Sequence, residues 1–471
     1  MRLICTALAA LALVLSASAQ VWDKQVVPGL VYHMEYDATL PRQIHALRYS
    51  PSIAKIKALP ELALGTVFSD DDSKGRETVS AMVARTGAIA GINGDYFPFT
   101  GDPLGLMVRE GQLLSQPVKP RAAFAWGTAG SGIGLINWQM TMAGEGMDPL
   151  DLDGIDEQCG QNACVVNDPV AGLAISQKPA VCVVLKPDKA ALGASGQFSG
   201  VVQSVFSDVT SVPVGMDSLL VMGHGTKAGY LNALKPGQRV LFNVQTQGLD
   251  WSKYTNAIGG GPMLVQNGHA FVDWQEEGFK ADFAQKRHPR TAIGRTQEGD
   301  VWMVAVDGRQ AGSAGATLDE MAAIMLRLGC VDAINLDGGG STDINALGMT
   351  LNRPTDGKEP GERKVANGLL LFAEDPVMPS AETLKIAGPA KLLTSDTPDF
   401  TVTTSDDFTL PNTDIIWAAT GPAFIDQGGR LHILGPGVVN LLAHVHGQLV
   451  TGAFTIELPP PAPVETAKPG K

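Results

Sequence analysis

With 471 residues, 44% hydrophobic and 18% charged, the chain has an ordinary globular composition, long enough for a large core and more than one domain. Its 54 Gly and 30 Pro ask for many turns, and no solenoid-type repeat runs through it. A formal net charge of −13 sets the surface against polyanions and excludes nucleic acid as a partner, so an anionic substrate would need a local cationic site.

The chain opens with Arg2, the apolar stretch LICTALAALALVL, and SASA before Gln20. Ala17 and Ala19 satisfy the small-residue rule for signal peptidase, so residues 1–19 are expected to be a signal peptide and the protein to be exported, periplasmic or extracellular. A retained N-terminal anchor is the alternative. No later segment reaches the ~20 apolar residues that span a bilayer, so no transmembrane segment is expected. Cys5 lies inside the signal. The four cysteines that remain permit two bridges in an oxidising compartment. Cys159 and Cys164 flank GQNA and are expected to close a small loop; Cys182 and Cys330 sit in apolar runs and either pair or are simply buried.

Residues 28–374 read as one mixed α/β region with many short strands and few helices. Two stretches within it resemble each other. TVSAMVARTGAIAGINGD (78–95) and TLDEMAAIMLRLGCVDAINLD (317–337) each begin at Thr, run as an amphipathic helix to Gly87 or Gly329, and continue as a buried strand ending Asn-x-Asp. Thr317 with Glu320 makes a capping box and Gly329 suits the position after the helix. Leu318, Met321, Ala322, Met325 and Leu328 fall on one face, which predicts a core helix. The likeness is either chance among small apolar residues or a device that delivers two Asn-x-Asp pairs from neighbouring strand ends. Residues 375–380 (DPVMPS) form a linker by their prolines. Residues 381–458 alternate in FTVTT, DIIWAA, LHILG and VNLLAHVHG, the pattern of a small β-sandwich, and resemble a bacterial immunoglobulin-like module. Residues 459–471 are a Pro-rich tail expected to be disordered.

The chemistry gathers at turns. In AINLDGGGSTD (333–343) a buried strand ends at Asp337, and three glycines let backbone N–H groups approach a ligand, with Ser341 and Thr342 adding donors. The alternative is a tight Gly-rich turn capped by Asp. AIGGGP (257–262) is a second such turn, and GSAGAT (312–317) leads into a helix N-terminus that favours anions. Arg290, Arg309, Arg353 and Arg363 stand near turns, and Arg suits phosphate through two parallel bonds. NGDYF (93–97) offers a carboxylate and an amide beside aromatics suited to a sugar face, and His224 in GHG is a donor or proton carrier. The metalloprotease, P-loop and nucleophile-elbow motifs are absent. Asp95, Asp337 and Asn335 have the oxygen chemistry for a hard cation, in no known loop motif.

INGDYF, AIGGGPMLVQNG, PRTAIG, VDGRQ, the LDEMA helix, AINLDGGGS, NRP and ERKVANGLLL, in this order, resemble the phosphodiester glycosidase family over residues 28–372. The acidic loop around EQCGQNACVVND departs from the family pattern at the substrate rim. The resemblance implies an α+β fold, here a mixed-sheet catalytic domain with few helices followed by the small all-β sandwich. It implies a hydrolase, alpha-N-acetylglucosaminidase-like, that releases a sugar joined through its anomeric carbon to a phosphodiester. Catalytic roles fall on Asp95, Asp337, Arg290 and Arg309, and substrate-binding roles on Asn93, His224, Asn335, Gly339, Gly340, Ser341 and Thr342. The sequence requires no cofactor, and a divalent cation is compatible with it. Expected partners are sugar phosphodiesters or envelope polysaccharide such as exopolysaccharide, with the sandwich spacing or docking the enzyme near it. A non-catalytic glycan-binding protein and a metal-dependent phosphodiesterase cutting P–O are the alternatives.

Overall fold

The computed structural model describes residues 19–53, 55–63, 75–98, 101–189, 191–356, 359–375 and 379–460. The expected signal peptide except Ala19, the middle of the expected linker (376–378) and the tail from 461 lie outside the described residues.

Three sheets build the main body. The first has eight strands, with Arg290–Thr296 between Val301–Val306 on one side and Cys330–Asn335 on the other. Every pairing in it is antiparallel. The chain passes from Val301–Val306 to Cys330–Asn335 through the helix Leu318–Arg327, which crosses over the intervening strand. VWMVAV is buried along its whole length because both faces are covered. Val301, Met303 and Ala305 enter the central core, while Trp302, Val304 and Val306 pack under the crossover helix with Leu318, Met321 and Met325. The second sheet has five strands, with Ala90–Asn93 between Ile344–Ala346 and Asn367–Ala373. The third has twelve and includes the long hairpin Leu173–Pro187 and Gly196–Pro213; part of it builds a second core, while Ala122, Phe124, Trp126 and Ile258 pack into the central core with the other two sheets. Sheet dominates and helices are few, as expected, but the pairing is overwhelmingly antiparallel rather than mixed. Parallel pairs among the named strands are confined to Gly154–Ile155 with Cys164–Asn167 and Leu392–Leu393 with Gln448–Glu457.

The internal likeness is present in space. Thr78 caps the helix Val79–Thr86 and Thr317 caps Leu318–Arg327, the latter with the full capping box. Gly87 (φ +73°) and Gly329 (φ +85°) end them in the left-handed region that favours glycine. Each helix leads into a buried strand, one in the five-stranded and one in the eight-stranded sheet.

The expected disulfides are not formed. Cys159, Cys164, Cys182 and Cys330 are buried free thiols. Cys182 lies in the twelve-stranded sheet and Cys330 in the eight-stranded one, each buried in a different core cluster. Cys164 is a strand residue opposite Gly223, and the Cys159 thiol donates instead to the carbonyls of Ala163 and Met222, at 3.4 Å each.

The C-terminal strands form an all-β module around Phe400 and Trp417. It is not a free spacer. Ile416, Ala418 and Phe424 are buried in the same core as Leu30, Leu47 and Met303. The Tyr36 and Phe424 rings lie 5.0 Å apart, and Arg353 Nη2 donates to the Gly421 carbonyl at 2.8 Å. Removing the Phe424 ring opens a cavity at this junction, so Phe424→Ala should destabilise the protein by about 3 kcal/mol. Denaturant unfolding should remain one cooperative transition at a lower midpoint. Two separated transitions, with only the C-terminal one moved, would show the modules to be energetically independent.

Candidate active site

The register of the eight-stranded sheet collects the site at one edge. Arg290 opposes Val306, and Ala292 opposes Asn335, so the start of one strand adjoins the ends of its two neighbours. Arg290 therefore lies beside the segments that carry Arg309 and Asp337. The five-stranded sheet delivers NGDYF to the same place. Asn93 Nδ2 donates to the Asp337 carbonyl at 2.7 Å, and Asp337 N donates to the Gly94 carbonyl at 3.0 Å. Asn93 Oδ1 accepts from Thr291 Oγ1 at 2.8 Å and from Asp343 N at 3.1 Å. Asn335 Nδ2 donates to Tyr96 Oη and to the Leu336 carbonyl, 2.6 Å each. Both asparagines are fully buried and fasten the two turns together; neither lines the cleft.

The cleft between these turns measures about 430 Å³. Its lining combines Arg290, Arg309 and Arg363 with the rings of Tyr96, Phe279 and Phe283; the last two stack at 5.1 Å, and the Arg290 guanidinium lies 4.6 Å over Phe283. The three glycines are explained by what lies against them. A Cβ on Gly339 would stand 3.0 Å from Arg309 Nη2, and one on Gly340 would stand 2.6 Å from Arg363 Nη2. Bare backbone lets both guanidinium groups lie on the turn, and Gly339 also takes φ +65°. Arg363 reaches Ser341 Oγ at 3.4 Å and pairs with Asp356.

Arg290 is fully buried. Its Nε donates to the Ala316 carbonyl at 2.9 Å and its Nη2 to the carbonyls of Phe283 and Lys286. Nη1 has no protein partner. Burial lowers its pKa to about 10, so it stays charged at neutral pH. Arg309 (φ +60°) is exposed and comes within 3.4 Å of His288 Nδ1. Burial and then the charges of Arg290 and Arg309 lower the His288 pKa, which leaves a neutral imidazole on the wall.

Two carboxyls bear on the site from different depths. Asp337 is on the cleft wall and accepts from Gly338 N at 2.9 Å. Desolvation pushes its pKa up to about 6, opposed by the Ser341 hydrogen bond and the Arg363 charge. Asp95 is not on the wall. It is 1% exposed, accepts from Tyr96 N at 2.7 Å, and packs so closely on Gly105 that a Cβ there would lie 2.3 Å from its Oδ2. Burial raises it to about 7 against the pull of Arg121.

Ser341 thus touches both Asp337 and Arg363, whereas Thr342 is buried behind the turn. His224 is not brought to the site. It ends a strand of the twelve-stranded sheet and accepts from Asn162 N at 3.3 Å. Arg363 stands in the sequence as a phosphate-suited arginine without a site role; His288, the Phe279–Phe283 pair and Arg121 are not singled out there. His288 directly precedes the PRTAIG motif, which was its only sequence signal, and the Phe279–Phe283 pair carried none. Arg121 carried no signal. Its guanidinium is wedged 5.1 Å from the Tyr96 ring and 5.2 Å from Phe279, with Nε and Nη1 unpartnered, and its charge bears on Asp95, Glu277 and Asp337.

Residues 193–372 match the family model described as phosphodiester glycosidase. That span holds the motifs from AIGGGP to ERKVAN; NGDYF lies outside it and joins it through the bonds above. Human N-acetylglucosamine-1-phosphodiester alpha-N-acetylglucosaminidase is 32% identical over 112 residues, 22% of this chain and 22% of that one. The SPbeta prophage-derived uncharacterized protein YomE of Bacillus subtilis is 36% identical over 103 residues, 20% of this chain and 16% of that one. The chain thus matches about a fifth of the length of these curated relatives. Among solved structures, a hypothetical protein from Synechocystis has a TM-score of 0.62 at 22% identity, covering 76% of this chain and 64% of that one. A Burkholderia pseudomallei K96243 protein has a TM-score of 0.61 at 18% identity, covering 75% and 96%. These two are likenesses of fold.

Asp95 generates a stability prediction. Its native pKa of about 7 lies above the ordinary 3.8. The folded protein therefore holds a proton the unfolded chain releases, and stability is lost as pH rises from about 4 through about 7. For a fully buried group the loss is on the order of 4 kcal/mol. Asp95→Asn should remove this dependence, gaining stability over wild type at pH 8 but not at pH 4. Equal urea midpoints for the two proteins at pH 8 would refute the burial of an ionised Asp95.

Proposed function

We propose that the chain is an exported hydrolase that cleaves a sugar 1-phosphodiester at the bond between the anomeric carbon and the phosphate oxygen. The observation that carries this reading is the meeting of the NGDYF and DGGGS turns in one cleft, with Arg309 and Arg363 laid on bare glycine backbone and Asp337 beside them. A phosphodiester seated against Arg290, Arg309 and Arg363 has its charge matched, and the match strengthens as the C–O bond breaks and the departing phosphate gains charge. Tyr96, Phe279 and Phe283 offer apolar faces to the sugar ring. Asp337, ionised above about pH 6, takes a proton from the water that attacks the anomeric carbon and opposes the positive charge developing there. The C–O electron pair leaves with the phosphate, which needs little protonation. Asp95, packed against Gly105 and Gly259, acts through position and field rather than by touching substrate.

Envelope polymers or secreted glycans are the proposed substrates and the periplasm or exterior the proposed location, on the strength of the N-terminal signal pattern. No helix among the described residues is long and apolar enough to cross a membrane. Against a purely binding role stands the half-buried carboxylate placed among three arginines, which binding alone does not need.

Purified protein should release sugar from a chromogenic N-acetylglucosamine 1-phosphodiester, and in 18O water the label should appear in the sugar. Label in the phosphate would indicate P–O cleavage, and no turnover on any sugar 1-phosphodiester would favour a binding protein. Asp337→Asn should lower kcat by roughly 100-fold or more with little change in KM. The wild-type rate should fall as pH drops through about 6, where Asp337 becomes protonated. Arg309→Ala should lower kcat/KM by at least about tenfold, with part of the loss in kcat because its contact strengthens as the departing phosphate gains charge. An Asp337→Asn enzyme with full activity would overturn the assignment.

A further inference from the structure

Beyond the three-glycine turn the chain runs on as Thr342, Asp343, Ile344, Asn345, and here the structure holds an acid without a counter-charge. Asp343 is 1% exposed and neither carboxyl oxygen makes a well-formed hydrogen bond; its polar neighbours are the Ile344 N–H, which donates to Asn352 Oδ1 at 2.9 Å, and the Glu362 carboxylate. The Glu362 carboxylate stands within hydrogen-bonding reach of it, and both Glu362 and Asp307 add negative potential there. Among the described residues neither Asp343 nor Glu362 forms an ion pair, and Arg363, the neighbour of Glu362, is turned to Asp356 and Ser341.

The surroundings are oxygen-rich. Asn345, two residues along and also 1% exposed, directs Nδ2 to Thr350 Oγ1 at 3.4 Å and leaves Oδ1 unpartnered. Thr350 Oγ1 in turn donates to Glu362 Oε1 at 2.6 Å. Ser80 fixes the other Glu362 oxygen from the start of the 79–86 helix, with its N at 3.2 Å and its Oγ at 2.7 Å. Thus Asn345 is tied through Thr350 to the carboxylate pair, and its own carbonyl oxygen is buried and unsatisfied.

One proton shared between the two carboxyls supplies a single donor. It leaves the second Asp343 oxygen with no donor but the already engaged Ile344 N–H, and Asn345 Oδ1 buried without a partner, an arrangement proteins rarely keep. A cation satisfies all of these atoms together and cancels the charge. The donors are carboxylate and amide oxygens, with no nitrogen or sulfur, which selects a hard ion. Only two of them are acids, short of the three or more acid, imidazole or thiol groups of a dedicated metal cluster, which among the described residues is absent. Neutral oxygens must therefore complete the shell.

We propose that Asp343, Glu362 and Asn345 form a buried site for a hard cation, calcium foremost, immediately behind the glycine turn. The site is separate from the cleft and its existence does not depend on the proposed reaction. Its ligands adjoin the cleft on both sides. Asp343 N is bonded to Asn93, and Glu362 precedes Arg363. An ion there would brace the turn that carries Asp337 against the segment that carries Arg363.

The test uses the full chain. Metal analysis of the purified protein, then calcium titration after EDTA dialysis, should find one equivalent bound and a Tm rise of about 5 °C or more at millimolar calcium. Magnesium should act more weakly, because it demands octahedral geometry. Asp343→Asn and Glu362→Gln should each abolish the calcium response. Asparagine at 343 can still donate to Glu362, so that variant preserves the shared-hydrogen-bond alternative while removing a ligand charge. A metal-free wild-type protein whose Tm is unmoved by calcium, magnesium, manganese or sodium overturns the proposal and leaves a proton-sharing pair. So does a calcium response retained in both variants. The wild-type titration decides the matter even where a variant fails to fold.

Discussion

Everything at the cleft depends on one junction, the pair of bonds that joins the Asn93–Gly94 strand end to Asp337. Two sheets contribute one strand each, and the side-chain amide of Asn93 replaces the backbone ladder that would otherwise hold them. A side chain does this better than a continued strand would. A ladder would run on past the ends and fill the space. An amide closes the gap and stops, so the residues after each Asn are free to turn outward and line a cleft. The repeated helix-strand-Asn-x-Asp unit makes structural sense in these terms, because each copy contributes one half of the junction.

The second constraint is electrostatic. A chain of net charge −13 must concentrate positive potential locally to hold an anion. It does so by keeping side chains off the turn. With glycine at 339 and 340, the guanidinium groups of Arg309 and Arg363 lie close against the turn backbone while Arg309 remains open to solvent. Buried Arg121, between Tyr96 and Phe279, then balances Asp95, Glu277 and Asp337 from behind the wall. The result separates charge by depth. Arginines face the cleft, one carboxylate shares it with them, and another is buried off the wall. Desolvation raises both acids, so each titrates close to neutrality, where proton transfer is useful.

Much of this was legible in the residues. Helix limits followed from Thr caps and glycine ends, the crossover helix from its apolar face, and the turn chemistry from Asp337 and three glycines in a row. Those signals are local, and local rules carry them. What the sequence did not show is non-local. Arg121 sits in an unremarkable strand, and only the packing of Tyr96 and Phe279 over it gives it a role. Asp95 and Asp337 look equivalent in sequence, yet the fold packs one against Gly105 and Gly259 and sets the other on the wall. His224 stood between glycines after an apolar run, a pattern that fits a site as well as a strand end, and the twelve-stranded sheet carries it elsewhere. The even cysteine count suggested bridges, but count says nothing of which sheet each thiol enters.

The C-terminal module shows how far such non-local coupling extends. Its Gly421 carbonyl accepts from Arg353 Nη2, and the other arm of Arg353 bonds Gln310, whose amide returns to the Arg353 carbonyl. The Arg353 backbone N–H donates to both carboxyl oxygens of buried Asp307, at 3.1 and 2.9 Å. Arg309 lies between Asp307 and Gln310, both of which are thereby fixed. A left-handed residue such as Arg309 (φ +60°) persists only where its flanks are over-determined. Here one flank is held by a carboxylate in the main body and the other through an arginine anchored on the module. A stretch that reads from sequence as a separate module is therefore part of what holds a cleft arginine in place, and besides its own core around Phe400 and Trp417 it sends Ile416, Ala418 and Phe424 into the main core.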